Sequence, residues 1–233
     1  MGESARTARR LSEATSPEAG AWDGPILLLP VGSTEQHGPH LALSTDTVVA
    51  EELCRRLAER RTDLIVAPAL AIGASGEHAG FPGTLSIGTA VLADVVVEIV
   101  RSSRTTFRAV VAVSGHGGNA EALRRAAETA EAEGDDLLVL LPTFPGADAH
   151  AGRTETSMLL ALDPSLVRKD EAMAGNTAPL SELAADLRSG GVAAVSANGV
   201  LGDPTGASAH EGEVLLAGAA DRLSAQLDGR HPR

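Results

Sequence analysis

Five of the seven histidines lie in four short stretches, each just after a run of apolar residues. These are His37 and His40 within 32–40, His78 within 73–78, His116 within 114–119 and His150 within 144–150. Glu35-x-His37 places two ligand-capable side chains on one face of an extended segment. Asp46 follows at the start of a predicted helix, free to point back toward the segment it came from. His116 sits among glycines, where a missing Cβ lets the backbone approach a ligand. Glu155 opens a further short helix. Together these are two imidazoles and three carboxylates, a donor set that suits divalent zinc, manganese or iron. Two such ions and three carboxylates nearly balance, a bound hydroxide completes neutrality, and a shared carboxylate such as Asp46 can bridge. Metal binding lowers the pKa of water from 15.7 to about 7, which arms it to attack an amide or a related bond.

Each motif alone has a plainer reading. A lone Glu-x-His is an ordinary polar turn. Gly-His-Gly-Gly-Asn can be a strand-to-helix turn or a phosphate cradle at a helix N-terminus. Asp46 and Glu155 are carboxylates that any first helical turn favours. Their joint placement after successive apolar runs is what favours a metal centre.

Those apolar runs read as buried strands at 26–31, 64–68, 109–113 and 137–141. Between them, helical spacing runs from about Asp46 to Arg60, through Val91, Leu92, Val95 and Ile99, and from Asn119 to a stop at Gly134. Thr45, Thr89 and Asn119 are the expected N-caps. A short helix spans 154–162, stopped by Asp163-Pro164, and a closing helix spans 213–227. The alternation predicts an α/β fold, a single three-layer α/β/α domain with a mostly parallel sheet. It occupies 25–230, after a polar arm at 1–24 that carries Arg6, Arg9 and Arg10 and reads as a frayed arm or a short docking helix. Ligands of such sheets bind past the C-terminal ends of the strands, where the histidines lie.

Composition narrows the function. The chain has 233 residues, 19 basic and 31 acidic side chains and a net charge of −12, which argues against a nucleic-acid partner. Aromatics are 2%, too few for base stacking. One cysteine, Cys54, rules out a disulfide framework and a cysteine-based zinc site; its mid-helix place reads as a small buried hydrophobe. No apolar run is long enough to span a bilayer, and no apolar signal core is present, so no membrane partner and a cytoplasmic location are expected.

The segments Leu29-Pro-Val-Gly-Ser-Thr-Glu-Gln-His-Gly-Pro-His40, Thr45-Asp46, Phe81-Pro-Gly-Thr84, Ser114-Gly-His-Gly-Gly-Asn119 and His150-Ala-Gly-Arg-Thr-Glu-Thr-Ser157 resemble the creatininase family of metal-dependent amidohydrolases. The likeness runs from about 26 to 160. Further segments, 145–152 and 194–206, resemble the branch that trims a modified precursor peptide near its C-terminus, releasing a Val-Tyr-derived core. The resemblance implies two divalent metal ions, one on Glu35, Asp46 and His116 and the other on His37, Asp46 and Glu155. It implies a proton-donating role for His150 at the scissile bond, a catalytic centre that includes Asp46 and Glu155, a substrate pocket formed by Ser75, Gly117, Gly118 and His150, and a closed homo-oligomer. Two departures stand out. Ile72 replaces a frequent aromatic, and Gly117-Gly118 replace the stretch where creatininase proper carries a further acid. The second argues against creatinine and leaves room for a peptide-like group.

The alternatives are a family amidohydrolase acting on a small cyclic amide or formamide, and a phosphate-binding module built on 114–119. His78 and His40 are candidates for orienting a ligand, His78 equally for a structural role. His210-Glu211 reads as a cap region, His231 as tail, and 199–206 as turn chemistry that could also close over the site of its own or a neighbouring subunit.

Overall fold

The computed structural model describes residues 7–229. Four strands form one sheet: β1 (Ile26–Val31), β2 (Leu64–Val66), β3 (Ala109–Ser114) and β4 (Leu137–Leu140). Their order is β2-β1-β3-β4 and every pairing is parallel. Both faces are covered, which is why the strands read as unbroken apolar runs. Ile26, Leu28, Val111 and Val113 face one core layer, whereas Leu27, Leu29, Val110 and Ala112 face the other.

The first layer is made by α2 (Thr45–Arg60), α5 (Arg153–Leu162) and α7 (Ala209–Gly229), through Leu53, Met158 and Leu216. The second is made by α3 (Gly88–Ser103) and α4 (Ala120–Glu133), through Val96 and Leu123. Cys54 is fully buried in the first layer. The expected three-layer α/β architecture is therefore present, with an all-parallel sheet.

Helix starts differ from the expected ones. Thr45 is already helical, and its hydroxyl donates to the Ala42 carbonyl. Ser86, not Thr89, meets the first turn of α3 by accepting the Gly88 N–H. Asn119 does precede α4, but its side chain caps nothing. It is fully buried and ties three strand ends together: Oδ1 accepts the Ala74 N–H at 2.9 Å, and Nδ2 donates to the Gly32 carbonyl at 2.9 Å and to Ser114 Oγ at 3.3 Å. We expect Asn119→Ala to cost about 2–3 kcal/mol, the size of stranding buried partners. A urea midpoint lowered at constant slope checks this. At the other end of α4, Gly134 is left-handed at φ 82°, as its role as helix stop requires.

One helix was not anticipated. Helix α6 (Leu180–Gly190) rests on a small separate cluster of Leu183, Val192 and Leu201. The N-terminal arm, over its described part, is docked. The Val66 N–H donates to the Arg9 carbonyl, Ala8 is buried, and a short helix α1 (Ser16–Gly20) follows. The closing helix begins at Ala209, four residues before the expected Glu213. Arg6, residue 230 and His231 lie outside the described residues.

Candidate metal centre

The site forms where β1 and β3 lie side by side and their chains leave in opposite directions, the switch point of an open parallel sheet. Two glycines let the first turn of α2 sit directly on these strand ends. A Cβ on Gly32 would lie 2.4 Å from the Thr47 Cα, and one on Gly115 would lie 2.1 Å from the Asp46 carbonyl oxygen. That contact brings the Asp46 carboxylate between the loops after β1 and β3.

Asp46 faces two imidazoles. Its Oδ1 is 3.1 Å from His37 Nε2, and its Oδ2 is 3.3 Å from His116 Nδ1. Ser33 Oγ donates to Oδ2 at 2.6 Å. His37 Nδ1 is 3.2 Å from the Glu35 carbonyl, which can only accept, so its Nε2 is left for the site. Glu155 Oε2 is 3.8 Å from His37 Nε2 and accepts the Ala151 N–H at 2.5 Å. Ala151 holds φ 52°, the one non-glycine in the left-handed region among the described residues. Strain of that kind aims its N–H at Glu155. Three triads with ligand atoms within 4.8 Å of one another result: Glu35, Asp46 and His116; His37, Asp46 and Glu155; and Glu35, His37 and His150. The first two share Asp46.

Glu35 is fully buried, and neither oxygen meets a hydrogen bond, although His116 Nε2 and His78 Nε2 approach to 3.2 and 3.3 Å. A carboxylate so placed calls for a cation. Burial, and then Asp46, push the Glu35 carboxyl up to about 8. Burial also raises Glu155, to about 7. His37 rises to about 9, because Asp46 outweighs the opposing effect of burial. His116 rises to about 11 as the carboxylates of Asp46 and Glu77 likewise overcome burial. Asp46 is held well below the carboxylate range, with His37 and His116 offsetting its burial. The donor set fits divalent cations.

Ligating groups must lose their protons. At pH 7 the metal-free centre retains protons on His37 and His116, so we expect metal binding to release protons and to weaken as pH falls. Calorimetric titration in buffers of different ionisation enthalpy checks the release. In the metal-free protein Glu35 and His37 both bind protons more tightly folded than unfolded. The stability these two groups contribute is therefore full below about pH 4.5 and declines as pH rises toward about 9.

The remaining expected residues fall as follows. His150 lines a cleft of about 800 Å³ together with Glu77, Gly117, Gly118, Glu155 and Arg188. Its ring lies 4.3 Å from that of His37 and 4.5 Å from that of His78. Burial, with His37 and His78 nearby, holds His150 well below the usual imidazole range. Gly117 opens into free space, but the space at Gly118 is filled: a Cβ there would lie 2.3 Å from Glu77 Oε1. Ser75 is fully buried and is not among the residues lining the cleft. His40 holds α5 through a 2.9 Å contact with the Thr156 hydroxyl. Glu211 is already inside α7, where it binds Arg153 and Ser157. The 199–206 segment folds over its own chain's site, with Leu201 paired to His150 and Asp203 making the expected turn to Thr205.

Sequence reasoning missed Gln36, Ser33 and Asn119, and missed the contact of Glu77 with His116 at 3.3 Å. Only Gln36 carried a signal, its place between Glu35 and His37.

A parallel sheet with carboxylates and imidazoles converging at its C-terminal edge is the build of a metal-dependent hydrolase. The family model described as creatininase, creatinine amidohydrolase, matches residues 12–227, and the chain belongs to the creatininase family of C–N hydrolases. It is 53% identical over 208 residues to the mycofactocin precursor peptide peptidase of Mycolicibacterium smegmatis, covering 85% of this chain and 84% of that one. It is 48% identical over 220 residues to the protein of the same name from Mycobacterium tuberculosis, covering 91% and 87%. A crystal structure of creatinine amidohydrolase superposes with a TM-score of 0.82 at 28% identity, covering 97% of this chain and 99% of that one. Among similar structures are a manganese creatininase and a zinc–zinc form of a mutant creatininase. Among the described residues, no helix is long and apolar enough to cross a membrane.

Proposed function

We propose that this chain is a dinuclear metal-dependent peptidase that hydrolyses the modified mycofactocin precursor peptide near its C-terminus, releasing its Val-Tyr-derived core. The observation that carries the reading is the 48–53% identity to peptidases of that name over most of the chain. We assign Glu35, Asp46 and His116 to one ion and His37, Asp46 and Glu155 to the other. Zinc, iron and manganese all suit these donors. When bound, the ions supply an activated water and polarise the scissile carbonyl.

The chain's own groups do the rest. Asp46 holds its position through Ser33 and spans both of these triads. Glu155, fixed by the Ala151 N–H, stands at the cleft side of the centre. His150, neutral and lining the cleft, takes a proton released in the attack and hands it to the leaving amine nitrogen. Gly117 keeps that wall open, whereas the Glu77 carboxylate fills the space beside Gly118. Residues 25–230 form the catalytic unit, since every assigned residue lies within it. The reading includes a homo-oligomer and a cytoplasmic location, where precursor peptides are made.

The second reading is a small cyclic amide or formamide as substrate. A cleft of about 800 Å³ is larger than such a molecule needs and suits several peptide residues. Mass spectrometry of products from the modified precursor peptide, with and without a chelator, tests the proposal. We expect cleavage that the chelator abolishes, and no turnover of creatinine. An intact peptide with creatinine turnover would overturn it.

A further inference from the structure

Gln36 stands between the ligand candidates Glu35 and His37, and no role in the chemistry above uses it. Its side chain is buried and lies at the meeting point of four loops. Oε1 accepts the Gly38 N–H at 2.9 Å, which fixes the orientation of the amide because that donor must meet an oxygen. Nε2 then faces three neighbours: His78 Nδ1 at 2.8 Å, His150 Nε2 at 3.0 Å and the Gly199 carbonyl at 3.1 Å.

An amide nitrogen has two hydrogens, so hydrogen accounting decides the rest. The Gly199 carbonyl can only accept and takes one. His150 Nε2 is also 2.9 Å from the Gln36 backbone carbonyl, which again can only accept. His150 therefore carries its proton on Nε2 and spends it there. The second amide hydrogen goes to His78 Nδ1, the nearest neighbour, which must hold a lone pair. A neutral His78 then carries its proton on Nε2, and that atom is 3.3 Å from Glu35 Oε1.

We infer that Gln36 is a positioning residue that sets the tautomers of His78 and His150, so that His78 turns its Nε2–H toward Glu35 while His150 presents the lone pair of Nδ1 to the centre. That His150 atom lies 4.0 Å from Glu35 Oε1. The relay Gln36–His78–Glu35 directs a proton toward the one ligand candidate whose oxygens meet no hydrogen bond. It leaves Glu35 Oε2, beside His116, for the cation. The inference rests on the assignment of Glu35 as a ligand only for its effect on metal affinity; the tautomers themselves are independent of it.

The test is nitrogen-15 NMR of histidine-labelled protein, metal-free and zinc-loaded, in which protonated and lone-pair ring nitrogens have well-separated shifts. We expect His78 and His150 both as the Nε2–H tautomer in the wild type. His78 found with its proton on Nδ1, in both samples, would overturn the inference whatever the metal does. The second measurement is zinc affinity in a double-mutant cycle. Gln36→Met and His78→Ala should each weaken binding about 10–100-fold, the usual effect of losing a partner that orients a ligand. The double variant should be no weaker than either, because they act in one relay. Additive losses would overturn the relay. A wild type with the expected tautomers that binds no zinc would refute the metal assignment and leave the tautomer inference standing.

Discussion

Asp46→Ala is expected to remove metal loading and hydrolysis together. The reason is the placement of one carboxylate against two imidazoles, 3.1 Å from His37 and 3.3 Å from His116, in a pocket where it is 3% exposed. Either of the triads that share Asp46 keeps, without it, one imidazole and one carboxylate, and the balancing charge for two divalent ions falls by one. The rings of His37 and His116 would also lose the group that holds them in place. Asp46→Asn is the companion variant. It keeps the size and the contact with Ser33 but removes the charge, so loss of metal in both variants separates the electrostatic role from packing. Elemental analysis of the purified variants, run beside product assays, reads both effects. Full activity in Asp46→Ala would refute a centre bridged by this residue.

His150→Ala is expected to act in the opposite pattern, with metal retained and turnover slowed by roughly 10²- to 10⁴-fold, the range for general acid–base groups. His150 lines the cleft, and the nitrogen nearest the centre is 4.0 Å from Glu35, farther than the contacts made by His37 and His116. Removing it leaves the Gln36 backbone carbonyl with one donor fewer but leaves the two triads that share Asp46 intact. A peptide carrying a better leaving group should recover much of the lost rate, since it needs less protonation. Metal content that falls with the rate would instead make His150 a ligand, in the arrangement with Glu35 and His37 whose ligand atoms also lie within 4.8 Å.

The local readings that held share a cause. Strand runs such as Ile26–Val31 are legible because burial on both faces leaves no polar position to confuse the period. Gly134 is legible because a left-handed residue ends a helix by its own backbone. Readings that depended on a partner elsewhere went astray. Asn119 has the chemistry of a cap, and a cap is its nearest use. The strand ends after β1 and β2 offer it stronger, buried partners at 2.9 Å. Helix α6 buries little beyond Leu183, so its apolar period is too weak to stand out before Val192 and Leu201 are seen beneath it.

The sequence by itself determined the parallel α/β layering, the loops that carry the histidines and the five metal-ligand candidates, because strand periodicity and residue chemistry are local properties. Only the tertiary structure decided that Asp46 lies against both His37 and His116, that Glu77 fills the space beside Gly118, and that Gln36 meets both His78 and His150. Those facts are distances between side chains up to 114 residues apart, as between Gln36 and His150. Such distances follow from how α2 seats on Gly32 and Gly115 and how the 199–206 segment returns over the strand ends. No stretch of chain encodes them alone.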